Sequence, residues 1–327
     1  MWNNIQQVSL YRYCLPFKKE MNFKGDTIVE REGLILSVQD INGCLHYADI
    51  APLINFSQET LAQATAEITA FVQLGLSALN NQKINQCIKR CSASVQFALT
   101  SIFIKSDSEL LNTKIVPLLQ GNKQSVISEY QRLNQPNIIK LKVAKNSLED
   151  DIKIINSLSL LNPKIQLRLD ANQQWTPSQV ACFLEKVSVI NIDYLEEATP
   201  LHADNLSLAK QFNLHIALDE TLQNPLFNYQ AARHIRALVI KPTLVGSLAR
   251  IDAFMKIARR HDLSVNMSSS FESAVGISIL KKMAARYQNE VDITLGIDTQ
   301  KQFESAFMMI EENIAQDIKQ LECVWKS

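Results

Sequence analysis

The sequence predicts an α/β fold in which a closed (β/α)8-type barrel follows an N-terminal α+β domain. From residue 114 onward, short β-branched runs alternate with amphipathic helical stretches, and the polar residues that end these runs recur every 22 to 28 positions. Such regular alternation is typical of parallel βα units. Eight units favour a closed barrel over a doubly wound sheet, and no Gly-x-Gly-x-x-Gly run follows a strand.

Residues 1–104 are organised differently and are assigned to the N-terminal domain. Alternating β runs come first and amphipathic helical stretches follow, which indicates an α+β domain. Asn42 and Gly43 are a typical hairpin turn between two of the β runs. The predicted elements are strands 8–16, 27–38 and 43–50, followed by helices 61–79 and 84–103.

The barrel is assigned to residues 105–301, and residues 302–327 form a tail. Thr176 is an N-cap followed by Pro177 at the first helical position, which marks one helix start clearly. The predicted strands are 115–119, 138–143, 165–169, 192–195, 215–218, 237–240, 263–268 and 291–295. The predicted helices are 123–133, 148–161, 177–189, 203–212, 228–234, 248–261, 274–287 and, in the tail, 302–315.

Composition and charge exclude several classes of protein. The chain has 33 Lys and Arg against 33 Asp and Glu, whereas nucleic-acid and membrane-surface binders usually carry a basic excess. No apolar run approaches the ~18–20 residues that span a bilayer, and the N-terminus lacks the features of a signal peptide. We therefore expect a cytoplasmic protein that acts on a small molecule, with no nucleic acid, membrane or obligate protein partner.

Two lysines on the second barrel strand, Lys140 and Lys142, point to the same face because residues two apart on a strand do so. If that face is exposed to solvent, the run is an ordinary amphipathic edge strand. If it lines the inside of a closed barrel, each cation lowers the pKa of the other, and a lysine that is neutral near physiological pH is a general base.

Carboxylates end the next three strands. Asp170, Glu196 and Asp219 would converge at the mouth of a barrel, where active-site residues lie. Three carboxylates in a confined site require a cation, and all-oxygen ligation suits Mg²⁺. Lys142 and Lys241 would then lie on either side of the metal. This arrangement suits α-proton abstraction from a carboxylate substrate, since the metal neutralises the ene-diolate while a lysine takes the proton.

Each of these residues has an ordinary explanation when it is taken alone. A carboxylate at a strand end is often a helix N-cap, an inward lysine often pairs with a carboxylate, and the serines at 268–270 could belong to a simple loop. Six consecutive strand ends carrying Lys, Asp, Glu, Asp, Lys and Ser favour a functional site. A non-catalytic barrel that serves as a binding or structural module is the weaker hypothesis.

The same strand ends resemble the enolase superfamily, in its muconate-lactonising subgroup, which has Lys-x-Lys, Asp, Glu, Asp and Lys at these places. Within the subgroup, the chain is most similar to dehydratases of menaquinone biosynthesis. The matching stretches extend from residue 10 to residue 299. They are 10–13, 51–53, 56–61, 168–172, 195–197, 240–244, 268–273 and 296–299.

The resemblance implies a barrel of the modified (β/α)7β type and makes residues 1–104 a capping domain on which the tail 302–327 packs. Segments near residues 23–25 and 52–56 would close the site and select the substrate. Three positions depart from the family pattern. Ala48-Asp49 replaces Gly-Glu, Ile54-Asn55 replaces Pro-Gly, and Ala198-Thr199 precedes Pro200 after the pair Glu196-Glu197, which leaves open which of these two glutamates is the ligand.

The resemblance also implies a role for each site residue. Lys142 removes the α-proton and, because the elimination is syn, protonates the departing hydroxyl; Lys241 stays cationic and stabilises the ene-diolate, and Lys140 lowers the pKa of Lys142. The residues that would bind Mg²⁺ are Asp170, Glu196 and Asp219. The residues that would hold the substrate's carboxylates are Ser268, Ser269, Ser270 and the backbone at Gly296.

The implied reaction is the dehydration of 2-succinyl-6-hydroxy-2,4-cyclohexadiene-1-carboxylate to 2-succinylbenzoate. An N-acylamino acid racemase of the same superfamily is the alternative, because two lysines on opposite faces can also act as a pair of bases. The segment 52–57, which departs from the family pattern, bears on the identity of the substrate. The sequence leaves the oligomeric state open.

Overall fold

The computed structural model describes residues 2–74, 79–105, 114–304, 307–308 and 313–327. The N-terminal part forms an antiparallel sheet whose first three strands are β1 (Ile5–Phe23), β2 (Asp26–Asp40) and β3 (Leu45–Ile50). The hairpin at Asn42 and Gly43 is confirmed, since Gly43 has a φ of 81° and its N–H donates to the carbonyl of Asp40 at 2.9 Å. Strands β1 and β2 are each fifteen or more residues long. The tip of the hairpin that these two strands form therefore extends well beyond β3.

Three helices cover this sheet: α1 (Leu61–Val72), α2 (Asn81–Ile88) and α3 (Ala93–Ser101). The prediction of one helix over 84–103 is wrong, because the helix ends before residues 89–92, which are not helical, and a second helix begins after them. Glutamates that precede or lie on α1 hold the start of α3, with Glu67 accepting from the N–H of Ser92 at 2.6 Å and Glu59 from that of Ser94 at 2.9 Å. Of the predicted helix 61–79, residues 75–78 lie outside the described part.

The barrel sheet is parallel throughout. Its strands are β4 (Lys114–Ile115), β5 (Leu118–Leu119), β6 (Ile138–Lys142), β7 (Gln166–Asp170), β8 (Ile192–Glu196), β9 (Ile216–Leu218), β10 (Ile235–Ile240), β11 (Ser264–Ser268) and β12 (Ile293–Gly296). Their order is β4-β12-β11-β10-β9-β8-β7-β6-β5. Because β4 and β5 are two halves of one chain segment, interrupted at Val116 and Pro117, the two edges of the sheet meet and the barrel closes with eight strand positions.

Hydrogen bonds across the interruption support this closure. The N–H of Val116 donates to the carbonyl of Leu295 at 3.1 Å, and the carbonyl of Pro117 accepts from the N–H of Lys140 at 2.9 Å. The predicted α/β barrel with an N-terminal α+β domain is thereby confirmed. A small apolar layer of Tyr194, Ala217, Ala237 and Val239 fills the inside of the barrel.

Helices surround the barrel. They are α4 (Lys123–Arg132), α5 (Leu148–Leu161), α6 (Pro177–Leu184), α7 (His202–Gln211), α8 (Glu220–Gln223), α9 (Pro242–Val245), α10 (Leu248–His261) and α11 (Ala274–Tyr287). Short 3₁₀ turns occupy Trp2–Asn4, Val189–Asn191 and Asp298–Gln302. The predicted N-cap at Thr176 is confirmed, and it is part of a capping box in which the Thr176 hydroxyl accepts from the N–H of Gln179 at 3.3 Å. In the described part of the chain, no helix is long and apolar enough to cross a membrane.

Two predicted barrel helices differ from the structure. The helix predicted over 228–234 is absent: residues 228–232 have no regular secondary structure, residues 233–234 form a turn, and the short α8 lies directly after β9 instead. Helix α6 ends at Leu184, earlier than the predicted 189; residues 185–188 are irregular and a 3₁₀ turn follows at Val189–Asn191.

The tail returns to the N-terminal sheet. The helix predicted over 302–315 is wrong at its start, since Phe303 pairs with Phe17 and the N–H of Glu304 donates to the carbonyl of Pro16 at 2.9 Å, whereas its last residues, 314–315, are helical. Residues 305–306 and 309–312 of that prediction lie outside the described part. A short helix α12 (Ile314–Ile318) follows, and β13 (Glu322–Lys326) pairs antiparallel with β1, which gives the sheet order β13-β1-β2-β3.

Candidate active site

The register of the parallel strands places the predicted site residues side by side at the C-terminal mouth of the barrel. Lys142 on β6 is level with Asp170 on β7, and Asp170 is level with Glu196 on β8. Asp219 and Lys241 come directly after β9 and β10. Since β6 and β10 are four strands apart in a barrel of eight positions, Lys142 and Lys241 belong to opposite walls.

Lys140 occupies the floor of this site. Its ammonium nitrogen lies 2.7 Å from Asp170 Oδ2, and 2.8 and 2.7 Å from the two carboxylate oxygens of Glu196. Both carboxylates are 1% exposed. A buried charge of either sign is costly unless it is paired, so this lysine and these two acids stabilise one another.

Lys142 lies nearer the opening and is less buried than Lys140. Its ammonium nitrogen donates to Asp170 Oδ2 at 2.6 Å and to the side-chain oxygen of Asn172 at 2.7 Å. Both partners are at or just after the end of β7, so one strand end orients the lysine. The side chain therefore reaches the cavity with a fixed direction, as a group that transfers protons requires.

Lys241 donates to Asp219 Oδ2 on the far side of the site. The other oxygen, Asp219 Oδ1, is buried and has no hydrogen-bond partner among the described residues. An unsatisfied carboxylate oxygen in a buried place costs free energy, which a bound cation would recover.

The pKa values of these groups follow from burial and from the mixture of charges. Burial opposes ionisation of Asp170, but the ammonium groups of Lys140, Lys142 and Lys241 outweigh it and hold the Asp170 pKa well below its usual range. Burial and the negative charge of Asp170 raise the Glu196 pKa well above its usual range. For Lys140 and Lys241, burial favours the neutral amine, but the neighbouring carboxylates prevail and raise the pKa of each.

The two candidate glutamates face in different directions. Glu196 shares the inner face with Lys140, whereas the Glu197 carboxylate accepts from the N–H of Thr221 at 3.1 Å and from the side-chain amide of Gln173 at 3.0 Å. Glu197 also has a φ of 21°, so the chain turns sharply at the end of β8. This geometry favours Glu196 as the ligand of the pair and gives Glu197 a role in holding the loops after β7 and β9.

These residues suit a hard divalent cation. Asp170, Glu196 and Asp219 offer only carboxylate oxygens, the ligand type that Mg²⁺ prefers, and one of these oxygens, Asp219 Oδ1, is buried with no partner in the described part of the chain. Among the described residues, no three acidic, histidine or cysteine side chains form a ligand cluster, and Lys140 and Lys241 pair with the carboxylates. A cation would share these oxygens with the lysines.

The predicted substrate-binding serines line the same cavity, together with Gly296. A side chain at position 296 would lie 3.1 Å from the hydroxyl of Ser268 and 3.1 Å from the amide oxygen of Asn266, so glycine keeps this part of the wall open. The hydroxyl of Ser269 pairs with that of Thr299 at 2.6 Å, and the buried hydroxyl of Ser270 has no partner among the described residues.

The N-terminal domain supplies the apolar side of the cavity. Phe23, from the tip of the β1–β2 hairpin, lies edge-on to Phe56 at 6.3 Å and to Phe271 at 5.3 Å between ring centroids. Asn55 adopts a φ of 61° and donates from its side chain to the carbonyl of Phe23 at 2.8 Å, which ties the two segments together. Asparagine tolerates this backbone region, so it can stand where the family pattern has glycine.

Other lining residues were not singled out from the sequence. Lys145 has no carboxylate within ion-pair distance among the described residues, and the preceding Ala144 has a φ of 62°. Asn172 and Asn266 also reach the cavity. Asn172 follows the Asp170 motif and has the same parity, which was an available signal; the loop conformation that directs Lys145 inward left no sequence signal.

Comparison with known proteins gives the class to which this fold and site belong. A family model described as "Enolase C-terminal domain-like" matches residues 126–315, and one described as "MenC, N-terminal domain" matches residues 5–103. The chain belongs to the enolase superfamily. Within it, the particular family is that of the o-succinylbenzoate synthases, as the curated relatives establish.

Two o-succinylbenzoate synthases serve as examples of these relatives. That of Pasteurella multocida is 31% identical over 295 residues, which is 86% of each chain. That of Pectobacterium atrosepticum is 30% identical over 332 residues, which is 99% of this chain and all of the relative.

Solved structures agree in fold. The o-succinylbenzoate synthase of Thermosynechococcus elongatus, complexed with Mg in its active site, has a TM-score of 0.76 at 20% identity and covers 96% of this chain and 99% of its own. A substrate-liganded L-Ala-D/L-Glu epimerase from Bacillus subtilis has a TM-score of 0.74 at 18% identity, over 93% and 92% of the two chains.

Proposed function

We propose that this protein is a Mg²⁺-dependent o-succinylbenzoate synthase that dehydrates 2-succinyl-6-hydroxy-2,4-cyclohexadiene-1-carboxylate to 2-succinylbenzoate, a step of menaquinone biosynthesis. The observation that carries the proposal is the placement of Lys142 and Lys241 on opposite walls of one site, with three buried carboxylates between their strands. The family relationship supports the same reaction.

Asp170, Glu196 and Asp219 would hold the metal ion. When bound, Mg²⁺ supplies positive charge that neutralises the carboxylate of the substrate and makes its α-proton more acidic. Lys140, which pairs with two of the three carboxylates, keeps them in place and compensates part of their charge.

Lys142 carries the proton in this proposal. Its neutral amine takes the α-proton of the substrate, leaving the bonding electron pair on the carbon and carboxylate as an ene-diolate. The electron pair then returns to the ring and the bond from carbon to the neighbouring hydroxyl breaks. Lys142 gives the same proton to the departing hydroxyl, so one water leaves and the ring becomes aromatic. A single group can do both because the elimination is syn.

Lys241 stabilises the charge that develops on the substrate. The carboxylate of Asp219 helps to keep its amine protonated, which suits an electrostatic role and does not suit a base. A fixed ammonium group in a buried site stabilises developing negative charge more strongly than water would. Ser268, Ser269 and Ser270, with the backbone at Gly296, would hold the carboxylates of the substrate in place.

The test is a direct assay of the purified protein with the cyclohexadiene substrate, with and without Mg²⁺. Formation of 2-succinylbenzoate that requires the metal is the expected result. Conversion in deuterated water separates this activity from N-acylamino acid racemisation, because a racemase would place solvent deuterium on the α-carbon of its product. Metal-dependent racemisation without dehydration would overturn the proposal.

We also propose that the reaction takes place in the cytoplasm on a small-molecule carboxylate, without an obligate protein partner. The chain has equal numbers of acidic and basic residues, and its candidate site is built from one polypeptide. Fractionation of cells that make the protein, followed by the same assay, tests the location.

A further inference from the structure

Arg31 is a buried arginine whose hydrogen bonds to the described residues all go to main-chain carbonyl groups. It lies on β2 of the N-terminal domain and is 3% exposed. Its guanidinium makes five hydrogen bonds, which equals the number of its N–H groups. No carboxylate lies within ion-pair distance among the described residues. The acceptors are the carbonyls of Glu32 at 3.1 Å, Ala51 at 2.5 Å, Pro52 at 2.6 Å, Ser270 at 3.3 Å and Phe271 at 3.3 Å.

The acceptors come from both domains. Ala51 and Pro52 follow β3 and begin the N-terminal segment that borders the cavity, while Ser270 and Phe271 follow β11 of the barrel. The planar guanidinium can bond both segments at once because its donors point in several fixed directions. A lysine, with three donors on one nitrogen, cannot reach all of these carbonyls.

Phe271 needs such a restraint. Its φ of 62° lies in the left-handed region, where the backbone of a bulky residue is strained. Its carbonyl and that of the preceding residue are both held by Arg31. The Phe271 ring lines the cavity and lies edge-on to Phe17 at 5.8 Å and to Phe23 at 5.3 Å.

We propose that Arg31 is a positioning residue for the dehydration, acting through Phe271. It holds the strained backbone at Phe271 and the segment after β3 in one fixed arrangement, so that the Phe271 ring and the hairpin tip form the apolar wall against which the ring of the substrate packs. Arg31 itself lies behind this wall. The inference rests on the proposed function for its kinetic part, and its structural part is independent of the substrate.

The kinetic experiment compares Arg31→Lys with wild type and with Arg12→Lys. Arg12 is a matched control, since it lies on the neighbouring strand but forms an exposed ion pair with Glu32. Loss of hydrogen bonds to a charged group is expected to raise KM by about tenfold or more while kcat changes by less than about threefold. The control should keep the KM of the wild type. An Arg31→Lys variant with unchanged KM would overturn the proposal.

A double-mutant cycle tests whether Arg31 acts through Phe271. Phe271→Gly removes the ring and relieves the backbone strain, so Arg31→Lys should raise KM little further in that background. If the two substitutions instead raise KM independently, so that their factors multiply in the double variant, the arginine merely stabilises the domain interface and the proposal is overturned. If Arg31→Lys does not fold, Phe271→Ala serves as the test because it leaves Arg31 in place. The KM of Phe271→Ala must rise, and an unchanged KM would overturn the proposal.

Hydrogen exchange of the ligand-free protein separates this proposal from the proposed function. In Arg31→Lys, peptides covering residues 50–57 and 268–274 should both exchange about tenfold faster than in wild type, because both segments lose a common anchor. Unchanged exchange in both peptides would overturn the positioning role, whatever the activity. If wild type does not dehydrate the cyclohexadiene substrate, the proposed function fails while this measurement still decides the role of Arg31.

Discussion

Lys142 differs from the other two lysines of the site in what surrounds it. Lys140 and Lys241 each pair with carboxylates in the buried part of the site, whereas Lys142 has one carboxylate and one neutral amide oxygen and is partly open to the cavity. This lysine can therefore exchange a proton with a bound molecule without leaving a deeply buried charge unpaired.

The first prediction concerns Lys142→Ala. Removal of a general acid–base group should lower kcat by about 10²–10⁴-fold, because the proton has no other acceptor in place. Mg²⁺ binding, measured by calorimetry, should stay near the wild-type value because the lysine is not a ligand. Lys153→Ala is the control, since Lys153 is an exposed partner of Glu149 at 3.0 Å. Near-normal turnover by Lys142→Ala would contradict the mechanism.

The second prediction concerns Asp219→Asn. The substitution replaces a charged carboxylate by a neutral amide, and the carboxylate has one oxygen, Oδ1, with no partner among the described residues. The affinity for Mg²⁺ should therefore fall by at least about tenfold. The readout is the Mg²⁺ concentration needed to raise the unfolding temperature. Glu149→Gln, which removes an exposed negative charge, is the control and should bind the metal like wild type. Equal metal affinity in both variants would remove Asp219 from the ligand set.

Residue-level inference from the sequence reached those side chains whose direction is fixed by strand parity. Lys140, Lys142 and Asp170 face inward because they stand at alternating positions on paired strands, whereas the choice between Glu196 and Glu197 needed the geometry of the chain after β8. It did not reach Lys145 or Arg31. The direction of Lys145 depends on a left-handed turn at Ala144, and the partners of Arg31 are carbonyls up to 240 residues away.

At the scale of elements, one strand of the N-terminal domain caps one helix of the barrel. The carboxylate of Asp49, on β3, accepts from the N–H and the hydroxyl of Ser273 at 2.8 and 2.7 Å, and Ser273 is the N-cap residue of α11. The hydroxyl of Tyr13 donates to the other oxygen at 2.9 Å. A negative charge at a helix N-terminus is favourable, yet this one is fully buried.

This contact gives the third prediction. Burial raises the pKa of Asp49 above its usual value, so the folded state binds the proton more tightly than the unfolded chain does. The stabilisation that Asp49 contributes is therefore fully present below about pH 4 and is lost as pH rises toward the raised pKa. We measure the free energy of unfolding of wild type and of Asp49→Asn by denaturant titration from acidic to neutral pH. The advantage of wild type, which is the gap between the two free energies, should shrink as pH rises. A gap that widens would contradict this sign.

Element boundaries were predicted best where local signals act alone. The start of α6 at Thr176 and Pro177 and the hairpin at Asn42 and Gly43 are set by capping and turn residues. The break between α2 and α3 was missed because its cause is a pair of glutamates more than 20 residues away, which hold the first N–H groups of the new helix. Contacts that are distant in sequence leave no periodic signal.

At the scale of the whole molecule, the N-terminal sheet is completed by a strand from the far end of the chain. Ser9, Leu10, Tyr11 and Arg12 of β1 pair with residues 322–326. The barrel could be predicted as a whole because its period repeats along the sequence. The resemblance implied that the tail packs on the N-terminal domain, but the pairing of β13 with β1 could not be predicted, since strands more than 300 residues apart are brought together only by the folded molecule.

The fourth prediction follows from this pairing. Removal of residues 321–327 would expose the edge of β1, with unpaired backbone groups open to other chains. The shortened protein should unfold at a lower temperature and associate at high concentration, as measured by calorimetry and size-exclusion chromatography. Mg²⁺ should still raise its unfolding temperature, because the three candidate ligands belong to the barrel. An unchanged unfolding temperature would show that β13 contributes nothing to stability.

The pairing of the first and last strands also orders events during synthesis. The N–H of Val8 donates to the hydroxyl of Ser327 at 2.9 Å, and the N–H of Ser327 donates to the carbonyl of Val8 at 3.0 Å. During translation β1 is therefore made long before β13, and the edge of β1 that pairs with β13 stays unpaired while the whole barrel is synthesised. Residues 8 and 327 are neighbours in the fold, so the backbone between them traces a nearly closed circuit. A variant in which residue 327 is linked to residue 8 and the chain is opened elsewhere would let both strands of the pair be made together.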